Sequence, residues 1–281
     1  MEIGIFSKTF EEKGLEKILQ RMNEFGIRHT QFNMLSAGME TMPPPISAKE
    51  AEEILALFRK YDVCADALSG TFNMIAPDEE EREDGCRRLE SLCRIAEDLQ
   101  IPVISLCTGS KNRESKWEWH DDNDTREAWD DLLRTTERIL KSAEKHDRIL
   151  GIEIEASNIV HSALLARKYF DVFQSDRLKI IMDGANLFVP GQKKDQKRIL
   201  EDTFALVGED IVLAHAKDLS DREEISFTAA GEGILDYRTY LALLKKYGYD
   251  GTLIMHGLKE EQILKSKTFL EEQLREISET K

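Results

Sequence analysis

Residues 149–155, ILGIEIE, join an apolar run to two carboxylates. The apolar part is typical of a parallel strand that is covered on both faces. Glu153 and Glu155 are two residues apart, so their side chains point to the same side of a strand. The segment LKIIMD at 178–183 follows the same plan and ends in Asp183. An apolar strand with a polar end is therefore a repeated unit of this chain.

Short β-rich runs of this kind alternate with helical patterns that place apolar residues at i, i+3, i+4 and i+7. Eight such units, with a last helix at about 259–278, predict an α/β fold, a (β/α)8 TIM barrel forming a single domain over residues 1–281. An open doubly wound sheet is the alternative, but FSKTFEEKG at 6–14 is not the glycine-rich turn expected after its first strand. The strand candidates are 2–7, 29–34, 62–68, 102–107, 149–155, 178–183, 211–216 and 252–256.

The composition restricts the classes of partner. A formal net charge of -15 on 281 residues argues against a protein that binds nucleic acid by neutralising phosphates. No apolar run approaches the roughly 20 residues that span a bilayer, and the charged N-terminal segment has no signal-peptide core. We therefore expect a cytoplasmic protein with no nucleic-acid or membrane partner.

The four cysteines, Cys64, Cys86, Cys93 and Cys107, contain no C-x-x-C pair. Reduced thiols are the expected state in a cytosolic protein. Cys64 and Cys107 fall in strand-like runs, which predicts that both are buried.

Histidines occupy the ends of the last two predicted strands. His215 lies near the end of 211–216, and His256 directly follows the run TLIM. In a barrel these groups meet Glu153 and Asp183 at the carboxyl ends of the strands. Burying such groups without partners costs several kcal/mol, on the order of 2–7 for a neutral polar group, and a divalent cation compensates for it. Two carboxylates and two imidazoles favour Mn²⁺, Zn²⁺, Co²⁺ or Fe²⁺, with Mg²⁺ as an alternative.

Each of these residues also has a simpler interpretation. A glutamate at a strand end is often a salt-bridge partner, and Asp183 before a glycine suits a turn or a helix cap. His215 fits a core histidine followed by a solvated Lys217–Asp218 ion pair. The simpler interpretations weaken when the four successive strand ends are taken together.

Four segments, in this order and at this spacing, resemble the xylose-isomerase-like TIM-barrel superfamily of sugar isomerases and epimerases. They are LGIEIEASN (150–158), IIMDGANLF (180–188), VLAHAKD (212–218) and the stretch from AAGEG to LIMHG (229–257). The resemblance covers essentially the whole chain. It implies one divalent metal ion bound by Glu153, Asp183 and His215.

Two positions depart from the superfamily pattern. His256 stands where better-known members have a second glutamate, and Asn186 stands where many have a histidine. The implied reaction is isomerisation or epimerisation of a sugar or polyol-derived ketose, by proton abstraction through a metal-stabilised enediolate. Glu153 is the expected base, and Glu155 is the alternative candidate for that role. His256 is expected to be the fourth ligand or the opposing acid.

Long segments after the predicted strands, at 69–78, 107–123, 184–195 and 217–234, are expected to form irregular loops on the face that carries the chemistry. Amide, aromatic and charged side chains near the strand ends are candidates for contacts with a sugar. The alternative interpretations of these side chains are hydrogen bonds within loops, packing within a lid and exposure at the surface. The candidates are Gln31, Asn33, Asn73, Trp117, His120, Glu155, Asn186, Lys217 and Glu232.

Other functions stay open at the level of the sequence. A metal-dependent dehydratase or lyase shares the scaffold, and a barrel without the usual glutamate could bind carbohydrate without converting it. An apurinic-site endonuclease needs more metal ligands, and this chain has only six histidines. The net charge of -15 also argues against a surface that binds DNA. The expected partner is a sugar or polyol, and homo-oligomers are common for this kind of barrel.

Overall fold

Eight parallel strands close into a barrel in the computed structural model, which describes residues 1–189, 191–222 and 224–279. Each strand pairs with the next along the chain, and the last barrel strand pairs with both the first and the seventh. The sheet is therefore closed, and the open-sheet alternative is wrong. In chain order the strands are β1 Glu2–Phe6, β2 His29–Phe32, β3 Cys64–Ser69, β4 Val103–Leu106, β5 Ile149–Glu153, β6 Leu178–Asp183, β7 Ile211–Leu219, β8 Phe227–Ala229 and β9 Thr252–Met255.

Amphipathic helices follow the barrel strands and cover the outside of the sheet. The start of the second helix is fixed by side-chain hydrogen bonds, because Ser47 and Glu50 form a reciprocal capping box there. The first helix begins at Leu15, directly after Gly14, whose φ of +96° is not helical. The helices are α1 Leu15–Glu24, α2 Ala48–Tyr61, α3 Glu79–Asp98, α4 Arg126–Lys145, α5 Ala163–Phe173, α6 Gln196–Val207, α7 Tyr237–Lys246 and α8 Ile263–Glu279.

The segment after β7 differs from its predicted irregular form. β7 continues to Leu219, and β8 pairs with this extension in the antiparallel sense, with Lys217 opposite Ala229. Residues 217–234 therefore contain a short hairpin rather than an irregular loop alone. Pro190 and Glu223, which fall within two of the predicted loops, and residues 280–281 lie outside the described part of the chain.

The barrel interior is filled by a small cluster drawn from five strands. Close approach between strands is allowed by Gly151, where a Cβ would lie 2.7 Å from Ile181 Cγ1. A larger apolar layer lies between the sheet and the helices. The interior cluster consists of Ala67, Val103, Ile181, Leu213 and Ile254.

All four cysteines are free, and Cys86, Cys93 and Cys107 are buried. Cys64 is exposed, so the expectation of burial was wrong for it: it is the first residue of β3, at the rim of the barrel. Among the described residues, no helix combines the length and the apolar character needed to cross a membrane.

Candidate active site

A cavity of about 550 Å³ opens at the carboxyl ends of the barrel strands. Its floor contains polar side chains from β2, β5 and β7 and from the residue after β9, and its rim comes from the loops that follow β1 to β4. The lining residues are Phe6, Lys8, Gln31, Asn33, Thr41, Ser69, Thr71, Ser105, Lys116, Trp117, Glu153, Glu155, His215 and His256.

The register of the strands places the predicted metal ligands next to one another at the carboxyl ends of the strands. Asp183, the last residue of β6, pairs with His215 in β7. Its Oδ1 accepts a hydrogen bond from the Ala185 amide at 3.0 Å, so Asp183 is the cap that its sequence context allowed. The second oxygen, Oδ2, is buried, makes no hydrogen bond and lies 3.7 Å from His215 Nδ1. The capping role therefore leaves one carboxylate oxygen for the site.

A bond across the barrel sets the orientation of the His215 ring. Gln31 donates through Nε2 to Ser105 Oγ at 3.0 Å, which turns its Oε1 toward His215 Nε2 at 2.8 Å. Nε2 is therefore the donor nitrogen, and Nδ1 faces Glu153 Oε1 at 3.4 Å. Burial alone would lower the pKa of His215, but Glu153 and Asp183 raise it to about 9. The ring thus presents Nδ1 to two carboxylates that attract a cation or a proton.

The His256 ring stacks on that of His215, with centroids 5.2 Å apart and planes 18° from parallel. Burial, followed by the charges of His215 and Lys217, lowers the pKa of His256 to about 4. Its imidazole is therefore neutral at pH 7, and its Nδ1 is buried without a hydrogen-bond partner. A neutral imidazole with a free nitrogen is suited to binding a metal ion.

Asp183, His215 and His256 meet the chemical requirements of a divalent-metal site. One donor atom from each lies within 4.8 Å of the others. Each residue also has a buried atom without a hydrogen-bond partner: Asp183 Oδ2, His215 Nδ1 and His256 Nδ1. Such atoms normally find partners, and an ion would supply them. The donor set of one carboxylate and two imidazoles fits a transition-metal ion.

Asn186 connects the two glutamates of the cavity. Its Nδ2 donates to Glu153 Oε1 and to Glu155 Oε1, each at 2.8 Å. Burial, reinforced by the charge of Glu153, raises the pKa of Glu155 to about 8. Burial also raises that of Glu153, but His215 outweighs it and the net shift is downward. The two carboxyl groups therefore lie side by side, and the pKa shifts favour the ionised form of Glu153 and the protonated form of Glu155.

Lys217 is buried and ion-paired, so the solvated Lys217–Asp218 pair is wrong. Its Nζ lies 3.1 Å from Asp183 Oδ2, in ion-pair range but without hydrogen-bond geometry, and donates to Asn186 Oδ1 at 2.5 Å. The ammonium also lies 3.9 Å from the Phe227 ring centroid. Asp218 is buried too and accepts backbone amides from Leu219 and from the β8–α7 loop. Lys217 is thus a fixed positive charge behind the cavity floor.

Of the nine predicted contact residues, four line the cavity, Asn186 and Lys217 form hydrogen bonds next to that lining, and three lie elsewhere. Gln31, Asn33 and Trp117 line it together with the acidic and histidine groups. Asn73 is buried and bonds the backbone of Ser110, and the exposed His120 accepts the Asp122 amide at 3.2 Å. Glu232 pairs with Lys265 at 2.9 Å outside the cavity. These three side chains stabilise loops, which was the alternative interpretation of such positions.

Two lysines at the rim were not singled out from the sequence. Lys8 follows β1, and Lys116 precedes Trp117 in the loop after β4. Lys116 Nζ donates to the Thr71 carbonyl at 3.0 Å, so this loop is tied to the loop after β3. The signal that could have found them is their position in the segments that follow β1 and β4, because such segments form the rim of a TIM barrel.

Comparison with protein families gives one match over most of the chain. Residues 19–276 match the family model described as Xylose isomerase-like TIM barrel. No curated protein matches the chain.

Solved structures with the same architecture cover nearly the whole chain at low identity. A D-tagatose 3-epimerase-like protein has a TM-score of 0.75 and 18% identity, covering 99% of both chains. An IOLI protein with a bound zinc atom has a TM-score of 0.72 and 13% identity, covering 99% of this chain and 98% of the other. Mannonate dehydratase from Streptococcus suis has a TM-score of 0.73 and 12% identity, covering 100% and 95%. At these identities the likeness concerns the fold.

Proposed function

The chain belongs to the xylose isomerase-like TIM barrel family, and we propose that it is a divalent-metal-dependent isomerase or epimerase of a sugar or polyol-derived ketose. The observation that carries this proposal is the meeting of Asp183, His215 and His256, each with a buried unpartnered atom, beside Glu153 and Glu155. The epimerase-like and zinc-containing structures of the same fold support the same class of activity.

Asp183, His215 and His256 would hold the ion, and Glu153 would complete the set through the oxygen that faces His215. A bound divalent ion supplies Lewis acidity, which stabilises negative charge on substrate oxygens. Gln31 keeps the His215 ring oriented by occupying Nε2. Zn²⁺, Mn²⁺, Co²⁺ and Fe²⁺ suit these donors best, with Mg²⁺ as the alternative.

Glu153 is also the proposed base, through Oε2, because Oε1 is the oxygen that faces His215 and accepts from Asn186. Glu153 lines the cavity, and its lowered pKa keeps it ionised at pH 7, so it can accept a proton from a carbon next to a carbonyl. General base catalysis of this kind contributes about 10²–10⁴-fold. The amide of Asn186 fixes the carboxylate at 2.8 Å, which limits its rotation and directs it toward the cavity.

Glu155 is the proposed second carboxyl group, because the same Asn186 nitrogen holds it beside Glu153. The oxygen of Asn186 is held by Lys217, so the amide cannot turn over without losing all three bonds. Asn186 is therefore a positioning residue for both glutamates. Because His256 is neutral, we assign it to the ion rather than to proton donation.

A metal-dependent dehydratase is the second candidate, and the pairing of Glu153 with Glu155 favours it. Elimination of water needs one carboxylate to remove a proton and one carboxylic acid to protonate the leaving hydroxyl. Two carboxyl groups held on one side by Asn186 fit that division of roles. Such a pair suits transfer on one face of the substrate, whereas epimerisation also requires a donor on the opposite face.

The test is turnover of a ketose panel by chelator-treated protein that is reloaded with Zn²⁺, Mn²⁺, Co²⁺ or Mg²⁺. We expect metal-dependent conversion, with products followed by nuclear magnetic resonance. An isomerised or epimerised ketose supports the first candidate, and a product that has lost water supports the second. Binding of sugar without conversion under any metal, or cleavage of abasic duplex DNA, would overturn both.

A further inference from the structure

A second group of metal-ligating side chains lies at the amino-terminal ends of the barrel strands, opposite the cavity. His29 is the first residue of β2, and Cys64 and Asp66 belong to the start of β3. One donor atom from each lies within 4.8 Å of the other two. Because the strands are parallel, these residues are separated from the cavity by the interior apolar cluster that includes Ala67 and Ile254.

An irregularity in strand pairing places Asp66 in this group. His29 pairs with Cys64 and Thr30 with Ala65, but Gln31 then pairs with Ala67, so Asp66 is the extra residue of a β-bulge. Bulges redirect side chains and are enriched at barrel rims. Here the Asp66 carboxylate meets His29 Nδ1 with both oxygens, at 3.0 and 3.1 Å.

The neighbouring strands support this geometry. Thr252 Oγ1 of β9 lies 3.3 Å from the same His29 nitrogen. Gly4 of β1 lies between β2 and β9, and a Cβ there would come within 2.7 Å of Thr252 Cγ2. The missing side chain at Gly4 thus allows the contact across β1. His29 is held by two groups from two different strands, which orders the ring before any ligand binds.

We propose that His29, Cys64 and Asp66 form a zinc-binding site at the amino-terminal face of the barrel, independent of the cavity. A thiolate, an imidazole and a carboxylate are the three donor types that zinc accepts together, and three protein ligands leave a fourth position for water. Zinc binds the thiolate of Cys64, so the thiol proton is released to solvent, whereas the neutral His29 ring keeps its proton on the nitrogen that does not bind the ion.

Access to this site is open. Cys64 is exposed, and His29 and Cys64 line a surface cavity of about 510 Å³. The two arginines of that cavity are already paired, Arg28 with Asp62 at 3.8 Å and Arg59 with Glu52 at 2.8 Å. Their charges are therefore partly compensated before a cation enters.

Thiol chemistry separates this site from the cavity, because the proposed cavity ligands contain no cysteine. In native chelator-treated protein, a disulfide reagent should titrate Cys64 alone, since the other three cysteines are buried. Stoichiometric Zn²⁺ should slow that reaction by at least about tenfold, because the bound thiolate is no longer a free nucleophile. Co²⁺ should give a near-ultraviolet thiolate charge-transfer band that Cys64→Ser removes.

Ligand variants complete the test. His29→Ala and Asp66→Asn should each abolish zinc protection while the Cys64 thiol stays reactive, and His256→Ala in the cavity should leave protection intact. If zinc leaves the thiol reactivity of native protein unchanged and cobalt gives no thiolate band, the group is only an ion pair and the proposal is wrong. Protection that persists in both His29→Ala and Asp66→Asn would also overturn it.

Discussion

His256 is the residue at which this cavity departs most from the glutamate-bearing pattern of the superfamily. Position alone allowed either a ligand or an acid. The surroundings separate these roles, because burial lowers the pKa of His256 to about 4 and leaves a neutral ring whose Nδ1 has no hydrogen-bond partner. The position of His256 at a strand end could be predicted from the sequence, whereas its protonation state depends on side chains from three other strands.

Replacing His256 should therefore change metal affinity. His256→Ala is expected to weaken Zn²⁺ binding at the cavity by more than the roughly 10–100-fold typical of losing a supporting partner. His256→Glu should restore most of the affinity, since a carboxylate also ligates zinc. Competition titration with a chromogenic chelator measures both, in a Cys64→Ser background that removes the second proposed site. Equal affinity of His256→Ala and its parent would contradict the assignment.

Lys217 balances the negative charge of Asp183. Lys217→Met leaves that carboxylate and the Asn186 oxygen without their cation, which should lower the free energy of unfolding by about 3–5 kcal/mol. Divalent metal should shrink the loss, because the ion then neutralises Asp183.

Urea unfolding with and without Zn²⁺ measures this effect. Lys265→Met is the matched control: it removes an exposed ion pair with Glu232 and should change stability by less than about 1 kcal/mol. If Zn²⁺ does not reduce the loss of stability in Lys217→Met, then Lys217 and the metal ion do not both neutralise Asp183.

Among the elements, the order of the eight barrel strands could be predicted, but the extension of β7 to Leu219 and the hairpin that it forms could not. Its strand β8 has three residues, Phe227–Ala229, and follows a polar stretch without strand periodicity. It is ordered by pairing with the β7 extension, not by its own propensity. This pairing also places Phe227 against Lys217, a contact that sequence spacing does not show.

Asp131 joins α4 to two neighbouring elements. Its side chain, 3% exposed, pairs with Lys111 of the loop after β4 at 2.5 Å and with Arg82 of α3 at 3.2 Å. Arg134 on its own helix pairs with it as well. Burial raises the pKa of Asp131, but the bond and charge of Lys111, together with the arginines, lower it below its ordinary value.

The lowered pKa of Asp131 gives a stability contribution with a defined pH range. Asp131→Asn should destabilise the protein by about 3–5 kcal/mol at pH 7, because Lys111 and Arg82 lose their partner. A depressed carboxyl pKa stabilises the fold above the unfolded value of about 3.9 and loses its effect as pH falls through the folded value. The difference between the two proteins should therefore shrink in acid.

Urea unfolding from pH 7 to pH 3 measures it. Asp130→Asn, which removes only an exposed pair with Arg126, is the control and should show little change at any pH. A constant difference for Asp131→Asn across this range would show that its charge is not the cause.

For the molecule as a whole, the alternation of strands and helices was enough to predict a closed barrel, because the pattern repeats eight times. The family match over residues 19–276 and the closed pairing of β9 with β1 confirm that prediction. The site was predicted only as far as strand ends specify it. Asn73, His120 and Glu232 lie in loops, where contacts between distant segments decide the direction of a side chain.

The most direct test of the proposed chemistry is solvent deuterium incorporation into ketoses by metal-loaded protein in deuterium oxide. We predict metal-dependent exchange at the carbon next to the carbonyl, reduced by at least about 10²-fold in Glu153→Gln and retained in Glu232→Gln. Exchange that is unchanged in Glu153→Gln, or no exchange with any ketose and any of the four metals, would contradict it.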